Sequence, residues 1–139
     1  MAYFFTQALD SAGQKEMALS VFKEAVRHGI VRPWKFTSDN RGTSIRAMDL
    51  HQFSSALSRS AIRSHLEGVL AGSDTPKHDL VVIVGKGLNS INEPILGTAV
   101  NQLLQEEYDI VASIDPLNSG RLIVSKDALA KIFQSQKWS

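Results

Sequence analysis

Cysteine is absent from the 139 residues, which excludes disulfides and thiolate metal sites. Net charge is nearly absent too, at +1. That balance still admits a nucleic-acid partner, because a neutral protein can be basic on one face. Long apolar runs are missing. The longest, Leu80 to Val84, falls far short of the roughly 20 residues of a membrane helix, so no membrane partner is expected. The first residues lack the basic start and long apolar core of a signal peptide. No His or carboxylate cluster has the spacing of a dedicated zinc site. What remains, 43% apolar and 21% charged, is the composition of an ordinary globular chain with room for one domain, or a small domain and an appendage.

The chain reads in three parts. Residues 1–31 predict a helical hairpin: a short helix over Tyr3 to Ala12, a break at Gly13, and a second helix over Gln14 to His28 that Gly29 stops. Met17, Ala18, Val21, Phe22, Ala25 and Val26 form its expected apolar stripe. Residues 32–45 show no clear period and read as a linker, with Trp34 as a packing anchor. From residue 46 the pattern alternates. Strands are expected at Ala47 to Leu50, Asp79 to Val84, Ile110 to Ile114 and Arg121 to Val124, and helices at Ser54 to Leu70, Asn92 to Glu107 and Ser125 to Phe133. The order βαβαββα predicts an α/β fold, a two-layer sandwich with a four-stranded mixed sheet, plus the N-terminal helical hairpin. The apolar run at 79–84 is of the kind buried on both faces. The turn chemistry of Asp115 to Gly120 predicts antiparallel pairing of the last two strands.

Two motifs end the first two of these strands. Asp49 and His51 lie two apart and so face the same way, and Gly85-Lys86-Gly87 follows the next strand. A helix between parallel strands delivers both motifs to one carboxyl edge, where open α/β sheets hold their ligands. His51 can move a proton at a phosphate while Asp49 orients it or holds a cation; the plainer alternative is a strand-end ion pair. The glycines admit close backbone approach, and Asn89 and Ser90 extend the loop with polar groups, although a simple turn accounts for them as well. The spacing is not that of a Walker loop. Arg59, Arg63, Lys77 and His78 are candidates for a basic rim, His65 reads as a half-buried packing residue, and Glu106 and Glu107 face no obvious partner.

Asp49-Leu50-His51, Val84-Gly85-Lys86-Gly87 and Gly120-Arg121-Leu122-Ile123-Val124, in this order and on these elements, resemble the small MutS-related (Smr) domain across residues 46–139. Ala8 to Gln14, Ala18 to Glu24 and His28-Gly29-Ile30 resemble one pentatricopeptide repeat, so the chain is similar to the carboxyl-terminal part of a repeat–Smr protein. The resemblance implies an endonuclease acting on RNA, with Asp49 and His51 catalytic and Gly85, Lys86 and Gly87 holding the phosphate; Asn89, Ser90, Arg59 and Arg63 stand beside them as further candidates for holding nucleic acid. It leaves open a DNA-nicking enzyme and a non-catalytic binding module, the latter favoured by Val84 where many Smr domains carry a His directly before the glycines. Magnesium, at Asp49 if anywhere, is required only if water is the nucleophile. The resemblance further implies upstream repeats in a longer chain, and a chloroplast or mitochondrion as its place.

Overall fold

The computed structural model describes residues 14–72, 76–85 and 95–138. The expected helix at Tyr3 to Ala12 and the start of the helix expected from Asn92 lie outside them. Among the described residues four helices and five strands make a mixed α/β fold: α1 (Lys15–Arg27), β1 (Trp34–Ser38), β2 (Ser44–Asp49), α2 (Ser55–Ala71), β3 (Leu80–Ile83), α3 (Ile95–Tyr108), β4 (Ser113–Asp115), β5 (Asn118–Val124) and α4 (Lys126–Trp138). The sheet runs β1-β2-β3-β5-β4; β2 and β3 are parallel and every other pair is antiparallel.

The sheet has five strands instead of the expected four, because the stretch read as a linker is half of a hairpin. Trp34-Lys35-Phe36-Thr37 alternates large apolar with polar residues, and it pairs with β2 from Trp34↔Met48 to Ser38↔Ser44. Asp39 closes the turn by accepting the Arg41 and Thr43 amides at 2.8 and 2.9 Å, with Gly42 at φ 78°. The strand expected at Ile110 to Ile114 is also displaced. Ile110 is buried, but as the hydrophobic end of α3: Asp109 turns left-handed (φ 55°) and the Ile110 amide returns to the Leu104 carbonyl at 3.0 Å.

Helix ends follow their local chemistry. Ser54 and Ser125 accept the Leu57 and Ala128 amides, each at 3.1 Å, as N-caps of α2 and α4. At α1, Gly29 (φ 72°) and Ile30 donate back to Val26 and Ala25, the pattern of a Schellman stop. Its buried residues are Ala18, Leu19, Phe22 and Ala25, so the stripe is rotated from the expected one and leaves Met17 and Val26 exposed.

One face of the sheet, with Met48, Leu50, Leu80, Val82, Val84, Leu122 and Val124, forms a single core with residues of all four helices. The other face is only half-covered: Val81, Ile83, Arg121 and Ile123 are of intermediate burial, so β3 is not buried on both sides as its apolar run suggests. Arg121 on β5 donates to Ser38 O and Thr37 Oγ1 on β1, both at 2.9 Å. In a flat sheet those strands would lie ~14 Å apart, three spacings of ~4.8 Å. The sheet therefore curls until its hairpin reaches over the open face, and Asn40 meets Asp115 at 3.0 Å.

Three helices share one ion-pair network. Arg63 of α2, 6% exposed, donates through Nε and Nη2 to Glu107 of α3 at 3.1 and 2.8 Å, and Lys15 of α1 joins at 3.2 Å. The Arg63 hydrogen bonds lead in holding the Glu107 carboxyl below its usual value, against the opposing effect of burial. Glu107→Ala removes the carboxylate that meets a buried guanidinium and is expected to cost about 3 kcal/mol by urea unfolding, whereas Arg63→Met with Glu107→Leu recovers most of it.

Candidate functional site

Parallel pairing of Met48 with Val82 and Asp49 with Ile83 sets the carboxyl ends of β2 and β3 side by side. The Leu50 amide bonds the Ile83 carbonyl at 2.8 Å, and the chain then turns, the Phe53 amide returning to Leu50 O at 2.9 Å. His51 sits on that turn. On the neighbouring strand Gly120 O accepts both the Val84 and Gly85 amides, at 2.9 and 3.2 Å, and so anchors the start of the glycine motif. Gly85 has φ 93°, a conformation that disfavours any side chain, and the position of a Cβ there lies 3.5 Å from His51 Cβ. Asp49, His51 and Gly85 thus come together at the edge the sequence pattern selects.

The carboxylate of Asp49 is engaged through both oxygens. Oδ1 meets His51 Nδ1 at 2.5 Å and the His51 amide at 3.3 Å, and Oδ2 meets Lys35 Nζ at 2.9 Å. Burial pushes the Asp49 carboxyl up most strongly, but the His51 ring, the Lys35 ammonium and the His51 amide together outweigh it and hold the group below the usual carboxylate range. An ionised Asp49 favours the tautomer with hydrogen on Nδ1, which leaves Nε2 of the neutral ring with a lone pair. With its side chain 44% exposed, His51 is open to a ligand.

Lys35 was missed because it stood in the supposed linker. The alternation of Trp34, Lys35 and Phe36 was the available signal, since it turns the lysine to the face opposite the two aromatics, the face Asp49 shares. The other candidates scatter. Arg59 is half-buried, and Arg63 is withdrawn from any solvent rim by Glu107, which has partners after all. Lys77 and His78 are exposed but precede β3, at the opposite end of the strand from Gly85. Lys86, Gly87, Asn89 and Ser90 lie outside the described residues. Val84 is buried in the core and His65 is half-buried against Trp34, edge to face at 5.0 Å.

A cavity of about 560 Å³ lies elsewhere, between the hairpin turn and the open sheet face. Most of its charged groups are committed to the fold. Asp115 accepts Leu117 N and Asn40, Arg121 is held by Thr37 and Ser38, and Asp79 accepts the Lys126 amide at 2.8 Å. The Asp–His–Lys cluster is the better site for chemistry. Among the described residues no group of three or more His, Asp or Glu is placed to hold a metal ion, and no helix is long and apolar enough to cross a membrane. Compared with known proteins, the chain matches no family model and no curated protein.

Because the folded carboxyl value is depressed, the stability Asp49 contributes is present above its unfolded value, about pH 4, and is lost as pH falls through the lower folded value. Asp49→Asn is expected to lose about 1–2 kcal/mol at pH 7. The gap to wild type should narrow in urea titrations at pH 3.

Proposed function

We propose that residues 46–139 act as an Smr-type endonuclease on RNA, with His51 as proton-transfer group and Asp49 as its orienting partner. The observation that carries this reading is the 2.5 Å contact of Asp49 Oδ1 with His51 Nδ1 beside the glycine motif, at the carboxyl ends of two parallel strands. The reading also takes the fold as a two-layer α/β sandwich, supported by the single core on one sheet face. An organelle location, and further repeats upstream, belong to the same proposal.

In this scheme His51 Nε2 takes the proton of a ribose 2′-hydroxyl, whose oxygen attacks the adjacent phosphorus. The bond to the 5′-oxygen breaks, and that oxygen takes a proton from water or a second donor. The products are a cyclic phosphate and a 5′-hydroxyl. Lys35 keeps Asp49 ionised and adds positive charge near the phosphate. A magnesium ion at Asp49, as water attack requires, must compete with Lys35 for Oδ2, which favours the 2′-hydroxyl route. Gly85 admits close approach of the phosphate, and the same proposal assigns Lys86, Gly87, Asn89 and Ser90 to holding it.

The saturation of both Asp49 oxygens also suits a second reading, a binding module in which the cluster is structural. Labelled RNA beside its 2′-deoxy counterpart, each with magnesium and with chelator, separates them. Cleavage of RNA alone that survives chelation, falling at least about 100-fold in His51→Ala, is the expected result. Lys35→Met should slow it about tenfold while RNA binding persists. Binding without cleavage of either strand would leave the module; cutting of both strands only with magnesium would make it a metal-assisted nuclease.

A further inference from the structure

The outer hairpin carries aromatic and cationic groups that the Asp49–His51 chemistry does not use. Register places Trp34, Phe36, Arg46 and Met48 on one face of β1 and β2, while Lys35 turns to the other. The Arg46 guanidinium carbon lies 4.1 Å from the centre of the Trp34 ring, and Arg46 is itself exposed. Phe36, directly opposite Arg46, is 77% exposed on an edge strand. Covering Trp34 explains the position of Arg46, but no fold-stabilising role explains so open a phenylalanine.

Beneath this face runs a groove. Cavities of about 480 and 310 Å³ lie between the hairpin and α2, and both are lined by Trp34, Arg46, His65, Gly68 and Val69. Lys23 lines one and Lys77 and His78 the other, against one lining carboxylate among the described residues, Asp79, already bound to the Lys126 amide. Lys23 is itself paired with Glu67 at 3.1 Å. The groove is therefore cationic and lined by the Trp34 and His65 rings, with Phe36 on the same sheet face beyond it, a combination that suits unpaired nucleotides.

We infer that this groove binds single-stranded RNA, its bases stacking on Phe36 and on the guanidinium that lies over Trp34, with phosphates neutralised by Lys77. The choice of ligand rests on the nucleic-acid reading of the Asp49–His51 site; the groove's chemistry stands apart from it. Lys35, between Trp34 and Phe36 on the same strand, reaches Asp49 on the opposite face, so an RNA in the groove has to pass round the β1 edge to meet the cleavage site.

Fluorescence anisotropy of the whole chain with a fluorescein-labelled 12-nucleotide RNA tests the inference. Phe36→Ala and Arg46→Gln, chosen because both side chains are exposed and checked by thermal melting, are each expected to weaken binding about fivefold or more, while Arg46→Lys keeps the charge and recovers only part. In a Trp138→Phe background the emission of Trp34 should be quenched by the single strand and not by the same sequence as a duplex. Unchanged affinity in Phe36→Ala and Arg46→Lys, or equal binding of single strand and duplex, overturns the groove. So does loss of self-association in Phe36→Ala without an effect on RNA, which would make the patch a contact between copies. Cleavage is scored separately with His51→Ala: if it binds normally and Phe36→Ala does not, the groove stands whether or not either protein cuts.

Discussion

Two residue pairs join β2 to β3, and the candidate site hangs on that short parallel seam. Were the strands antiparallel, Asp49 and Gly85 would leave from opposite ends of the sheet and could not share a ligand. The seam is held on the core side by Met48 and Val82, both essentially inaccessible to solvent, and at its end by the Leu50 amide on Ile83. Gly120 then clamps the far side of β3, so the strand that carries the glycine motif is fixed from both flanks. The geometry of this candidate site is set by backbone pairing, with side chains adding only the last contacts.

Charge is distributed between structure and site in a way residue counts do not reveal. Arg63 and Lys15 serve Glu107 and tie α1, α2 and α3 together, while Lys35 serves Asp49 from a strand outside the alternating unit. α2 also keeps two hydroxyls, Ser58 and Ser60, buried without a hydrogen-bond partner among the described residues. Larger side chains at either place would push apart elements packed against the helix on both sides, so these serines are better read as spacers than as donors.

Most of the alternating unit was legible. Period and caps located α2 and α4, and the Asp49–His51 and Gly85 motifs fell on the ends of neighbouring strands as their spacing required. The hairpin was not legible, because an exposed edge strand lacks the apolar repetition that marks buried ones and Trp34-Lys35-Phe36 is too short to stand out. Ile110 was misassigned because a hydrophobic residue closing a helix has the same local signature as one opening a strand. The fate of Arg63 could not be read locally at all, since its partner is 44 residues away.

The strand order has a bearing on how the chain is made. β5 lies between β3 and β4, so the inner neighbour of the glycine-motif strand is the last of the five described strands to be synthesised. Until residues 118–124 leave the ribosome, β3 has only the two-pair seam with β2 along one side and Gly85 has no carbonyl to hold it. A nascent chain can assemble α1, the hairpin and α2 early, yet the site stays open until β5 emerges, which couples its maturation to completion of the sheet.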